Sequence, residues 1–275
     1  MLPLLTPLVS VLNCFARPTP PSKPSPKPKS WFIDFDPVRA KAEGREPEGI
    51  PPEIAALFPR EFEKSARGEI PKGWRVGTYR EIAALTKGSV NPLNSPTETY
   101  EHYSLPAFDA SQLPVFELGQ VIKSNKTRIG RGVVLQSKLN PHIPRVWIPF
   151  DVGVNAVCST EFLPWSAKAP ASQEFLFCLL VSPTFATMVQ TLVTGTSNSH
   201  QRVRPEQVAG LQIVIAPASV FTAFADIAKP LLQRVGENRQ ASDMFGTLRD
   251  TLLPRLMSGK LRIPEAEAWI EEAIA

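Results

Sequence analysis

The chain has 275 residues and a hydrophobic fraction of 43%, which suits one large soluble domain or a domain with an appendage. Its formal charge of +4 resides in residues 1–30, where Arg17, Lys23, Lys27 and Lys29 meet no acid, so residues 31–275 are neutral and overall basicity carries no nucleic-acid argument. Cys14, Cys158 and Cys178 lie far apart without a CxxC pair, which argues against a zinc site or a disulfide framework and suits a reducing cytoplasm.

In chain order, residues 1–16 are apolar but lack a basic start and are interrupted by two prolines, a poor secretory signal. Six prolines within residues 18–29 bar helix and sheet there, so residues 1–30 are expected to be a disordered Pro-rich leader. The chain has no run of about 20 apolar residues, so no membrane span is expected. From Trp31 the composition changes, and residues 31–70 read as an ordered connector of net charge −3. Asp34 and Asp36 alternate before Pro37 and fit a capping or turn role better than a metal site. "PPEIAALFPREFE" holds one or two helical turns with Ile54, Leu57 and Phe58 on one side.

Residues 71–217 read as a compact mixed domain. "GVVLQSKLN" and "AVCSTEFLP" are strand-like, the second rich in residues that fit a pleated surface. "ASQEFLFCLLVSPTFATMVQTLV" reads as helix, broken or restarted at Ser182-Pro183, with Phe175, Leu179, Phe185, Met188 and Leu192 as a core stripe. "LQIVIAP" reads as a buried strand closed by Pro217. Residues 218–263 read as one long helix, with residues 264–275 as a tail. Phe224, Ala228, Leu231, Val235, Phe245, Leu252 and Leu256 fall on a 3.5-residue repeat, and Asn238, Ser242 and Arg249 fill other slots of that seam. Gly236 and Gly246 weaken the helix, and Pro254 should kink it. So long a stripe needs cover, either its own domain or a second long helix. The expected fold class is therefore α+β: one mixed domain followed by a long coiled-coil-type helix.

Catalytic patterns are missing from the sequence. It has no GxxxxGK[ST] loop and no GxGxxG, "TGTSNS" lacks the second glycine of a nucleophile elbow, and "NPLN" and "NPHI" fail the NPP[FY] tetrapeptide of adenine methyltransferases. His102, His142 and His200 are scattered. Neither cofactor nor metal is expected, and the chain reads as non-catalytic.

The strongest local bias lies in residues 120–150, where Lys123, Lys126, Arg128, Arg131, Lys138 and Arg145 meet no Asp or Glu. Such cations neutralise phosphates, and Ser124, Asn125, Asn140 and His142 can bond phosphates or base edges. A solvated basic face is the alternative. A second cluster, "TGTSNSHQRVRP", carries Ser199, Gln201 and Arg202; Gln and Arg are residue types that read adenine and guanine, though an ordinary loop before a helix start at Pro205 would look the same. The candidate DNA-binding set is Lys123, Ser124, Lys126, Arg128, Lys138, Asn140, Arg145, Ser199, Gln201 and Arg202.

Six stretches, "KSWFIDFDPVRAKAEG", "GEIPKGWRVGT", "SKLNPHIPRVW", "STEFL", "TGTSNSHQRV" and "LRDTLLPRLMSGKLRIP", resemble in their order the specificity subunit of type I restriction-modification systems, over roughly residues 30–263. The resemblance implies a target-recognition domain that reads one half-site of double-stranded DNA, a distal helix that pairs with a central one, and docking of modification (methyltransferase) and restriction subunits that carry the chemistry. It makes "SWFIDFDPVRA" the end of the central conserved region, residues 71–217 the second recognition domain, and residues 218–263 the distal conserved helix. The chain departs from the family by lacking a first recognition domain and by a proline run where the central helix should stand. Shifting the frame of Pro20 to Lys27, with common codons, gives patterns such as Thr-Leu-Glu-Ala-Ile-Ala-Gln-Ala, which looks like that helix. Residues up to about Lys29 are thus expected to be a frame-shifted translation, the alternative being a genuine Pro-rich linker. A cytoplasmic protein is implied, with a homodimer through the C-terminal helix as a possible substitute for the absent half. Two rivals stay open: a truncated remnant without function, and a module that binds methyltransferase subunits without reading DNA.

Overall fold

The computed structural model describes residues 28–193, 201–265 and 269. The Pro-rich residues 1–27 and Ser199 lie outside this set. The first helix spans Pro28–Phe32. Proline fits a helix's first position, where the missing N–H would have no partner, so the expected bar to helix over 18–29 does not reach a helix that opens at Pro28.

The next helix, Asp36–Ala42, is entered through Phe35, whose φ of 56° lies in the left-handed region, and no side chain caps it. Asp36 sits in its first turn, at the positive end of the helix. A single helical turn covers Pro52–Ala55. Beyond it Phe58 is buried, while Ile54 and Leu57 pack half-buried against the same core.

Four sheets follow. β1 (Phe62–Ser65) and β2 (Gly68–Pro71) form a hairpin with Phe62 opposite Pro71. β3 (Arg75–Thr78) waits for a partner from far along the chain: it pairs antiparallel with β13 (Gln212–Ile215), Gly77 opposite Ile213. β4 (Ala83–Leu85), β9 (Val133–Ser137), β10 (Val146–Trp147) and β12 (Phe162–Ala167) make an antiparallel sheet in the order β10-β9-β12-β4. β5 (Ser89–Val90), β6 (Thr99–Tyr103), β7 (Val115–Leu118), β8 (Lys126–Arg128) and β11 (Ala156–Ser159) make the largest, in the order β5-β8-β11-β6-β7. Its one parallel pair is β11 with β6.

Two strand expectations need correction. "AVCSTEFLP" is not one strand but two, β11 and β12, which belong to different sheets. The pleat-friendly residues run straight through, but the chain turns at Thr160–Glu161, where the Ser159 hydroxyl accepts the Glu161 N–H at 3.2 Å. "LQIVIAP" is one-sided rather than fully buried: Ile213 and Ile215 face the core while Gln212 is exposed, because β13 belongs to a two-stranded sheet.

The helical restart is as the sequence indicates. Helices Gln173–Leu180 and Pro183–Gln190 meet at Ser182, whose hydroxyl accepts the Phe185 N–H at 3.3 Å and donates to the Leu179 carbonyl at 2.6 Å. Phe175, Leu179 and Phe185 are buried.

The last helix runs 40 residues, Ala218–Met257, through Pro230 and Pro254. Its first turns complete the main core: Phe221 and Phe224 meet Phe32 at 5.4 Å each between ring centroids, and Phe224 meets Trp31 at 5.7 Å. Phe175 stands 4.7 Å from both Phe32 and Phe221. Ala228 is buried too, but Leu231 and Val235 of the same seam are exposed. Gly236 lies against Phe150, and a Cβ there would stand 2.7 Å from its ring. Farther on, Leu252 is buried against Leu261, which the chain brings back by turning at Gly259 with φ 69°. Its own domain therefore covers the start of the seam and leaves Leu231 and Val235 open, while Phe245 and Leu256 farther on are half-buried. No helix among the described residues is long and apolar enough to cross a membrane.

Candidate nucleic-acid interface

The candidate residues fall in three places. Lys123, Ser124, Lys126 and Arg128 lie on and before β8, one strand in from an edge of the five-stranded sheet. Lys123 is exposed, its ammonium on the Gln120 carbonyl at 2.5 Å. Arg128 is exposed and donates to the Val154 carbonyl at 3.0 Å. Lys126 is only 6% exposed and donates to the Ser124 hydroxyl at 2.6 Å and carbonyl at 3.1 Å. Burial lowers its pKa, with the Glu117 carboxylate pulling the other way. Beside it His102 bonds Glu117 through Nδ1 at 2.6 Å, while its Nε2 is buried without a partner. Burial also lowers the His102 pKa below the ordinary 6.5, and Lys126 adds to that. Lys126 is thus drawn into a buried polar group rather than set on the surface.

Arg145 stands apart. Its guanidinium bonds Asp109 through Nε at 2.6 Å and Nη2 at 2.9 Å, with the side chain 15% exposed. The pair ties the start of β10 to the helix Leu105–Ala110, and the Asp109 bond raises the Arg145 pKa. Arg131 faces elsewhere again, onto a cavity of about 390 Å³ shared with Phe150, Lys229 and Gly236 of the last helix.

The third place is a convergence. Val203 donates its N–H to the Lys138 carbonyl at 3.0 Å, and Asn140 donates its N–H to the Gln201 carbonyl at 2.8 Å. Leu139 bridges to Arg202, and the Lys138 N–H reaches the Glu161 carbonyl at 2.9 Å. Segments 138–140, 159–162 and 201–203 are therefore held side by side by backbone bonds. Arg202 and Glu161 pair across them, Nε to Oε2 and Nη2 to Oε1, both at 3.1 Å. Asn140 has φ 49°, and its Oδ1 is buried without a partner. Ser199 lies outside the described residues.

Sequence reasoning brought the two clusters into one set but missed their acidic partners. Asp109 is 36 residues from Arg145, and Glu161 is 41 from Arg202. A charge count over residues 120–150 cannot see partners at that range. The turn that carries Glu161 was legible only as part of a strand-like run.

Among the described residues, no group of three or more His, Cys, Asp or Glu is placed to hold a metal. Burial pushes the Cys158 and Cys178 thiols up to about 12, far from reactive thiolates.

No family model matches the chain. It is 24% identical over 252 residues to the MjaIX type I restriction enzyme specificity subunit of Methanocaldococcus jannaschii, covering 86% of this chain and 52% of that one. It is 21% identical over 288 residues to the HindI specificity subunit of Haemophilus influenzae, covering 85% and 60%. The HsdS subunit from Thermoanaerobacter tengcongensis superposes with a TM-score of 0.52 at 25% identity, over 70% of this chain and 49% of that one. A chain from a structure of type I R-M complex assembly and conformational transition gives 0.51 at 23% identity, a likeness of fold. The chain spans just over half the length of the curated relatives it matches.

Proposed function

We propose, starting from the similarity of this chain to type I specificity subunits over about 85% of its length, that it reads one half-site of double-stranded DNA on behalf of methyltransferase and restriction subunits that carry the catalysis. The observation that carries the reading is the convergence of segments 138–140, 159–162 and 201–203 through backbone bonds, which sets the Arg202–Glu161 pair at the surface. A guanidinium is a group that reads guanine edges, and backbone-fixed segments hold it in register. Exposed Lys123 and Arg128 supply cations for phosphates. No nucleophile, metal cluster or cofactor pattern is needed for such a subunit.

A second assignment within this reading concerns the partner. On one side of the last helix, Leu231 with Val235 and, farther on, Leu253 with Met257 are exposed, the last at 84%. A stripe of this kind is suited to another long helix, from a second copy of the chain or from a longer specificity subunit. Two copies about a twofold axis would present two identical recognition surfaces to an inverted repeat.

The test is selection of random duplexes on the purified chain, followed by anisotropy titration of the enriched duplex and of its scrambled form. Preference of at least a thousandfold for the enriched duplex, the range of specific DNA-binding proteins, is expected. Equal binding of both would defeat the reading.

A further inference from the structure

The Arg202–Glu161 pair is at the surface, with side chains 47% and 27% exposed. Exposed ion pairs contribute little to stability. The three segments beneath it are already fixed by three backbone hydrogen bonds: Lys138 to Glu161, and Val203 to Lys138 with Asn140 to Gln201, the pair that forms the Leu139–Arg202 bridge. The pair is therefore poorly explained as a folding device. Its evident effect is on the arginine. Glu161 engages Nε and Nη2 together, which fixes the plane and direction of the guanidinium. That side-on grip turns the Nη1 side of the fork away from the carboxylate. A guanine takes an arginine through two donors, onto O6 and N7.

We propose that Glu161 is a positioning residue for specificity: it holds Arg202 for a guanine edge and keeps it from phosphates. This rests on the DNA-reading function above. Two physical consequences separate it from mere support. A long cationic side chain that is not tied down can swing to the nearest phosphate and bind any duplex. A tied one, with its charge balanced, adds little to non-specific attraction and loses less entropy when it meets its base. Glu161 also stands where a phosphate would be repelled, so the pair disfavours register-free binding while favouring the matched base. Its place is set by the turn between β11 and β12, which is anchored on the Ser159 hydroxyl and on the Lys138 N–H. The hand-over of the chain from one sheet to the other is what delivers the carboxylate to this surface.

The experiment uses the whole chain and the duplex enriched on the wild type. Glu161→Gln keeps the shape and removes the charge. Expected are a fall of about tenfold in preference for the enriched over the scrambled duplex, the size of one lost bidentate contact, and a steeper salt dependence on the scrambled one. Glu161→Asp should restore part of the preference. In Arg202→Ala, adding Glu161→Gln should change nothing further. A preference unaltered in Glu161→Gln, or a loss that Arg202→Ala fails to absorb, overturns the assignment. So does a loss matched by a lowered melting temperature, which would make the pair structural. If the wild type shows no preference at all, it is the DNA-reading function itself that fails, and the two failures are distinguishable.

Discussion

Lys123 and Lys126 are three residues apart and of one chemistry, yet they have different fates. Lys126 points into a sheet face beside His102 and Glu117, whereas Lys123 is exposed. We expect Lys123→Glu to lower the slope of log K against log salt by about 0.9, one phosphate contact. Lys126→Met should leave that slope unchanged and leave the unfolding midpoint equal or raised, because a buried cation is replaced by an apolar side chain of similar length. A slope altered in both variants would return Lys126 to the interface. His102 makes a second prediction. Its folded pKa is lowered, so at mildly acid pH the unfolded chain binds more protons than the folded one. The stability tied to the neutral ring is full above pH 6.5 and is lost as the pH falls through the lowered value. Urea unfolding at pH 8 and pH 5.5 should show a drop in wild type that His102→Asn reduces, since asparagine offers Glu117 a donor that does not titrate.

At the scale of elements, the sequence was legible where a local rule decided the outcome. Ser182-Pro183 restarts a helix because a serine caps and a proline fits the first turn. Of the apolar stripe Phe175, Leu179, Phe185, Met188 and Leu192, the first three became buried core as the spacing required, Leu192 packs half-buried against that core and Met188 is half-buried. Legibility ended where distance decided. Nothing in "AVCSTEFLP" says that its halves join different sheets, and nothing near β3 names β13 as its partner. The convergence of residues 138–140 with 201–203 was unreadable for the same reason, though both stretches had been singled out by composition. The last helix shows the mixed case. Its repeat was legible, but which part of it the domain would cover was not, because that depends on aromatic rings near residue 31. Gly236 offers a check. A side chain there would meet the Phe150 ring, so Gly236→Val should wedge the helix from the domain. The expected readout is faster amide exchange in the helix around residues 229–240 and a lower melting temperature, despite valine's better helix propensity than glycine. Slower exchange would show that Phe150 simply moves aside.

For the whole molecule, the open question is what meets the exposed part of the last helix. Leu231 and Val235 are exposed one turn apart, and Leu253 and Met257 likewise farther along, and apolar pairs on one side of a long helix favour a partner helix. Sedimentation of the chain from Trp31 onward should therefore show self-association that a peptide of the frame-corrected helix suppresses. A monomer at all concentrations that ignores the peptide would mean the helix needs no partner. The main core has a different bearing, on time. Trp31 and Phe32 lie at the start of the described fold; Phe58 and Trp74 follow soon after to meet them, but their other ring partners Phe175, Phe221 and Phe224 come far later in the chain. During synthesis at roughly 5–20 residues per second, about 10–40 s separate the appearance of Trp31 from that of Phe224. Over that interval the earliest aromatics have only part of their cover and lack the rings of the last helix. The nascent chain is most vulnerable to misassociation just before its last helix leaves the ribosome, and the rate of translation across residues 31–224 becomes part of what determines how much of it folds.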